Sequence, residues 1–122
     1  MEVFPDLDAV TPLARYQAEH PEDNADIVSL VREAKNFLSP FSWLSEVTEI
    51  YVGAVYPGVI GIFLFRVTPT RPGVDDWTWV IVGDVPPAYI TCEDAIVPWE
   101  ALDGYIGALE PWVAAARARY GG

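Results

Sequence analysis

Cys92 and His20 are the only thiol and the only imidazole in the 122-residue chain, so any Cys–His nucleophile pair would have to join these two. Neither sits in a sequence setting that would activate it. A Ser–His–Asp site would also have to recruit His20, and no Gly-x-Ser-x-Gly elbow accompanies it. His20 lies among Glu19, Glu22, Asp23 and Asp26, which are ligand-type side chains. The His-x-x-x-His or Cys-x-x-Cys spacing that fixes metal geometry is missing, however. The cluster reads as the acidic start of a helix, where carboxylates meet the positive end of the backbone dipole. Two carboxylate pairs, Asp75-Asp76 and Glu93-Asp94, adjoin turn signals. A two-carboxylate hydrolase needs its groups about 5–10 Å apart across a cleft. Adjacent strand residues point to opposite faces, so surface loops are the expectation for both pairs. Gly53, Gly58, Gly61, Gly73, Gly83, Gly104 and Gly107 never assemble into a phosphate loop followed by lysine. No catalytic residue, cofactor or metal is expected.

Aromatic and proline residues offer binding chemistry instead. Trp77 and Trp79 share one strand face, as do Phe63 and Phe65 on the neighbouring strand, and aromatics of this kind dominate core burial. Pro86-Pro87-Ala88-Tyr89 matches the Pro-Pro-x-Tyr ligand of WW domains, although flanking strand patterns favour a place in a sheet.

Charge gives the clearest direction. The chain carries 18 Asp and Glu against 7 Lys and Arg, a formal charge of −11, yet it is 52% hydrophobic. That combination describes a folded globule with an anionic skin, not an acidic disordered tail. Such a field repels nucleic acid and anionic lipid and speeds encounter with a basic partner. A single cysteine cannot close an internal disulfide, which suits a reducing compartment. The opening residues Met1 to Asp6 have neither a basic region nor an apolar run, and the 16-residue uncharged stretch Ile50–Phe65 is broken by Pro57-Gly58. A soluble cytoplasmic protein, without a membrane span, is the expectation.

The elements that must position these groups follow from the hydrophobic period. Residues 1–10 read as an irregular arm of a single domain spanning 1–122. Thr11-Pro12 starts a short helix to about Glu19, and His20 ends it because a residue before proline is pushed out of the α region. Asp23 or Asn24 caps a second helix whose stripe is Ile27, Leu30, Val31, Ala34, Leu38 and Phe41, with Pro40 as its stop. From Glu46 the period becomes two, with Thr48, Ile50, Val52 and Ala54 on one strand face and Val47, Glu49, Tyr51 and Val55 on the other. Tyr56-Pro57-Gly58 predicts a tight turn into a second strand, Val59–Val67, apolar on both faces until Arg66. Strands over Trp77–Gly83 and Tyr89–Cys92 follow, separated by Asp84-Val85-Pro86-Pro87, with the last at an edge. Pro98 opens a C-terminal helix with a stripe of Leu102, Tyr105, Ile106, Leu109, Val113 and Ala116, kinked at Pro111. The expected fold is α+β: an antiparallel three- to four-stranded sheet with N-terminal helices and a kinked C-terminal helix packed on one face. The other face would then be open, needing the arm, a second copy or a partner to cover it.

The run Trp79-Val80-Ile81-Val82-Gly83-Asp84-Val85-Pro86-Pro87-Ala88-Tyr89, followed by Pro98-Trp99-Glu100-Ala101-Leu102 and Tyr105, resembles a family of small uncharacterised bacterial proteins. In that family a strand ends in Gly-Asp-x-Pro-Pro-Ala-Tyr and a C-terminal helix opens with proline. The resemblance covers about the last third of the chain and implies a bacterial origin and a fold type, with no residue roles. In size, acidity and α+β layout the chain is also similar to immunity proteins of bacterial polymorphic toxins.

The expected function is therefore a non-enzymatic, protein-binding domain, of the immunity type, that inhibits a basic toxin or nuclease. Asp75, Asp76, Asp84, Glu93 and Asp94 are the expected contact carboxylates, with Trp77 and Tyr89 as aromatic anchors. Two alternatives stand beside it: a structural protein that dimerises through an open sheet face, and a small enzyme or ligand-binding domain with a pocket between sheet and C-terminal helix.

Overall fold

A computed structural model describes residues 5–42, 44–70, 76–92 and 95–107. Five strands form one antiparallel sheet in the order β1-β2-β3-β4-β5, each pairing with its neighbour in sequence. They are β1 (Thr11–Pro12), β2 (Leu44–Tyr56), β3 (Ile60–Pro69), β4 (Trp77–Gly83) and β5 (Ala88–Thr91). The sheet thus has five strands where three or four were expected. The extra one is the two-residue β1, whose Pro12 pairs with Tyr51 at the sheet edge, where a missing N–H donor is tolerated.

Helix α1 (Leu13–Glu19) ends at His20, whose φ of −130° and ψ of 59° lie outside the α region, as the following proline requires. A 3-10 turn, Pro21–Asp23, leads into α2 (Asn24–Leu38). Asp23 occupies the N-cap position of α2 but makes no side-chain cap bond, since the preceding turn sets the entry of the chain. Ile27, Leu30, Val31, Ala34 and Leu38 are buried, the stripe read from the sequence. Phe41 lies beyond the helix, half-buried, with its ring 5.5 Å from that of Phe37.

The expectation of helices on one face is corrected. Along β3, Phe63, Phe65 and Val67 join the α2 stripe, whereas Ile62 and Leu64 join a second cluster with Trp77, Trp79, Ile81, Cys92, Ala95, Ala101 and Tyr105. Alternate residues of a strand point to opposite faces, so the two clusters lie on opposite sides of the sheet. The second side is covered by Cys92, by residues 95–107, of which 98–107 are helical (α3), and by Val10 of the N-terminal arm. Ile62, Leu64, Trp79 and Ile81 are at most 2% exposed, so no open apolar face remains over β3 and β4 for a second copy to cover. The apolar character of both faces of β3 is the physical reason: each face needs its own layer.

Strand β2 also departs from simple alternation. Leu44, Val47, Ile50, Val52 and Val55 pack toward α2, and Tyr51 and Ala54 pack toward α3. Its pairing with β3 shifts between Leu44 and Glu46, between Val47 and Glu49, and between Val52 and Ala54. Each shift inserts an extra residue and re-aims the side chains beyond it. The last makes room at Gly53, where a Cβ would come within 3.0 Å of the Pro98 ring.

The turn after β2 is closed by Val59 N–H donating to the Tyr56 carbonyl, with Gly58 at a φ of 75°, the positive value expected there. Pro98 is the first residue of α3, also as expected. Ile106 is a correction, because it is 51% exposed. Pro98, Ala101 and Tyr105 set the buried phase of α3, and Ile106 follows Tyr105 by a 100° rotation that carries it off that face. Leu109, Val113, Ala116 and the kink at Pro111 lie outside the described residues. No helix among those described is long and apolar enough to cross a membrane.

Candidate partner-binding surface

Asp84 stands where two turns meet α2. Gly83 has a φ of 132°, and a Cβ on it would collide with the Val59 carbonyl oxygen, so glycine alone lets the two turns approach. Asp84 N–H then donates to that carbonyl at 2.7 Å, fixing the β4–β5 turn against the β2–β3 turn. Facing them is one flank of α2. Asp26, Ser29, Leu30 and Glu33 recur at helical spacing and, with Gly58, Gly83 and Asp84, line an open notch of about 180 Å³. Among the described residues, three carboxylates and no base line it. Arg32 and Lys35 occur on the opposite flank of α2, beside Leu13, Gln17 and Val28, in a separate groove of about 290 Å³. The helix therefore sorts its charges, with acids toward the turns and bases toward α1.

Asp76 and Trp77 belong to a different assembly. Arg66 donates from a terminal guanidinium nitrogen to Glu49 Oε2 at 2.8 Å, Tyr51 O–H donates to Glu49 Oε1 at 2.7 Å, and Asp76 Oδ2 lies 3.7 Å from Arg66 Nε. The guanidinium carbon sits 5.4 Å from the centre of the Trp77 ring. The hydrogen bond from Arg66, then that from Tyr51, holds the Glu49 carboxyl below its usual range. The same bond to Glu49, with burial, pushes the Tyr51 phenol up. This cluster ties the middle of β2 to the C-terminal part of β3 and the start of β4. Trp77 is only 6% exposed, so it is a core side chain and not the surface anchor expected of it, and its buried Nε1 finds no hydrogen-bond partner among the described residues.

Tyr89 is 41% exposed and packs on the aromatic end of α2, with ring centres 5.3 Å from Phe41 and 6.4 Å from Phe37. It pairs with Val80 within the sheet, and the Pro86 carbonyl accepts from Tyr105 O–H at 2.7 Å. The Pro-Pro-x-Tyr segment is thus built into the fold, not presented as a detached polyproline ligand. Asp75, Glu93 and Asp94 lie outside the described residues. Of the expected contact residues that are described, Asp84 joins Asp26 and Glu33 in the notch, whereas Asp76 shares a groove with Glu49 and the cation Arg66.

His20 stacks on Tyr16 with ring centres 4.0 Å apart, and its Nδ1 lies 3.0 Å from the Tyr16 carbonyl. Burial, then the charges of Asp23 and Glu22, pushes the Tyr16 phenol up. Cys92 is 1% exposed in the second core cluster. Among the described residues no group of three or more His, Cys, Asp or Glu side chains is placed to hold a metal ion. Between the sheet and α3 the space is filled by Trp79, Ile81, Ala101 and Tyr105, and Trp79 Nε1 donates to the Ala95 carbonyl at 2.8 Å.

Sequence reasoning grouped Asp26 with His20 and left Glu33 unassigned. The seven-residue step between Asp26 and Glu33 marks one helix flank, but their meeting with Asp84 depends on long-range packing. Compared with family models, curated proteins and solved structures, the chain matches none.

Proposed function

We propose that the chain is a non-enzymatic, acidic protein-binding domain that neutralises a basic partner, as an immunity-type inhibitor does to a basic toxin or nuclease. The observation that carries this reading is the notch of Asp26, Glu33 and Asp84, three carboxylates lining one opening with no base among its described lining residues. It lies on a chain of net charge −11. Like charges held close together repel, and folding keeps them so only where their field does not outweigh the packing beneath them. A protein that holds phosphate must be positive at that site, and an anionic domain is drawn to the same surface.

Affinity capture from the native host, with elution by a salt gradient, tests the reading. A basic protein should be retained at low salt, released as screening grows, and lost from a bait carrying Asp26→Asn, Glu33→Gln and Asp84→Asn. Retention of an acidic protein, or of the same protein by parent and variant at equal salt, would contradict it.

A further inference from the structure

We propose that the outward stripe of α3 anchors a basic amphipathic segment of the partner protein; this rests on the reading of a basic partner and names the surface that holds it. Trp99 is 66% exposed and Ile106 is 51% exposed. They are seven residues apart, two helical turns, and Asp103 between them is also exposed. Beside the helix start, Ile96 and Leu7 are 41% and 45% exposed, and the Ile96 carbonyl accepts from Asp6 N–H at 2.8 Å. Trp is the side chain most enriched among residues that dominate binding, and here two thirds of it faces solvent.

Several contacts support this stripe from beneath. Pro98 lies against Gly53, Tyr105 is tied to the Pro86 carbonyl, and Glu100 Oε1 accepts from Ile96 N–H at 3.0 Å across the first turn. An anchor already held in place loses little conformational freedom on binding.

Charge selects the occupant. Asp6, Asp8, Glu100 and Asp103 flank the apolar residues, and segments 5–10 and 95–107 contain no Lys or Arg. A second copy of this chain would bring the same carboxylates face to face, and an anionic membrane would be repelled by them. A helix with leucines on one side and lysines around them matches both the apolar stripe and its acidic border. The stripe and the notch divide the work: charge steers over roughly a Debye length of 8–10 Å, while the contact that resists dissociation is apolar.

The test uses a synthetic 14-residue Leu–Lys peptide of helical amphipathic pattern, with a Leu–Glu peptide of the same pattern as control. Binding is read by calorimetry and by backbone amide shifts of the labelled protein. The Leu–Lys peptide should bind saturably, shift amides of residues 96–107, and bind about 30-fold more weakly to Trp99→Ser/Ile106→Ser. Trp99→Phe should keep most of the affinity, and all variants should melt like the parent because the altered side chains are exposed. Equal affinity for the Ser/Ser variant and the parent, or equal binding of the Leu–Glu peptide, would overturn the proposal. If binding were weakened only by the Asp26, Glu33 and Asp84 substitutions, α3 would be excluded and the basic-partner reading would stand. Failure of the Leu–Lys peptide to bind even at low salt would sink both.

Discussion

Pro98 rests on Gly53: a side chain added at residue 53 would meet the proline ring at 3.0 Å and the Ile62 carbonyl oxygen at 3.1 Å. This contact seats the first turn of α3 on β2 and puts the helix on the face of the sheet opposite α2. Gly53→Ala should therefore lower stability by about 1–2 kcal/mol, the cost of overpacking less the backbone entropy that alanine recovers. Urea unfolding of the variant checks it, and a raised midpoint would show that α3 does not sit so close.

Gly83→Ala should do more damage. Residue 83 combines a φ of 132° with a Cβ position occupied by the Val59 carbonyl oxygen, so strain and collision act together. A loss of about 3 kcal/mol is expected, together with changed amide shifts at Asp84 and Val59. Unaltered shifts at those two residues would mean that the turns do not depend on glycine.

Leu30→Ala and Phe63→Ala should each cost about 2–5 kcal/mol, since both side chains are buried in the cluster between α2 and the sheet. The Trp79→Phe change tests the other face, because it removes the donor to the Ala95 carbonyl and should loosen residues 95–107 ahead of global unfolding. Hydrogen exchange that stays uniform across both faces in this variant would contradict two separately anchored layers.

The Glu49 cluster gives a pH dependence with a definite sign. Its folded carboxyl is held below the usual range by Arg66 and then Tyr51, so its contribution is present above the unfolded carboxyl pKa. That contribution is lost as pH falls through the folded value. Tyr51 behaves oppositely: its folded phenol is raised, so its contribution holds below the ordinary phenol pKa and is lost as pH rises through the folded value. Both effects are small, at most about 1 kcal/mol, because Glu49 and Arg66 remain solvent-accessible. Glu49→Gln should flatten the acid limb of the stability profile within and below the ordinary carboxylate range. An acid limb identical to the parent would assign it to other carboxylates.

Local signals made much of this fold legible in the sequence. The α2 stripe, the stop at His20 before proline, the turn at Gly58 and the start of α3 at Pro98 each depend on one residue type and its immediate neighbours. What stayed hidden depends on contacts far apart in the chain. The residues inserted along β2 change the faces of its side chains, and a period-two pattern carries no mark of them. The placement of α3 on the second face depends on how the chain turns after β5, and the apolar character of both faces of β3 hinted at it without saying which segment would provide the cover. For the candidate site, Asp84 was legible as a loop carboxylate. Its neighbours Asp26 and Glu33 were not, since a helix flank reveals its partner only once the sheet is in place.

The association rate of the captured partner tests the electrostatic account most directly. Stopped-flow mixing at low and high salt should give a rate that falls steeply with ionic strength. Asp26→Asn, Glu33→Gln and Asp84→Asn together should slow it by about tenfold at low salt, with the thermal midpoint nearly unchanged because exposed carboxylates contribute little to stability. A rate indifferent both to salt and to these three substitutions would contradict the claim that this acidic surface draws in a basic partner.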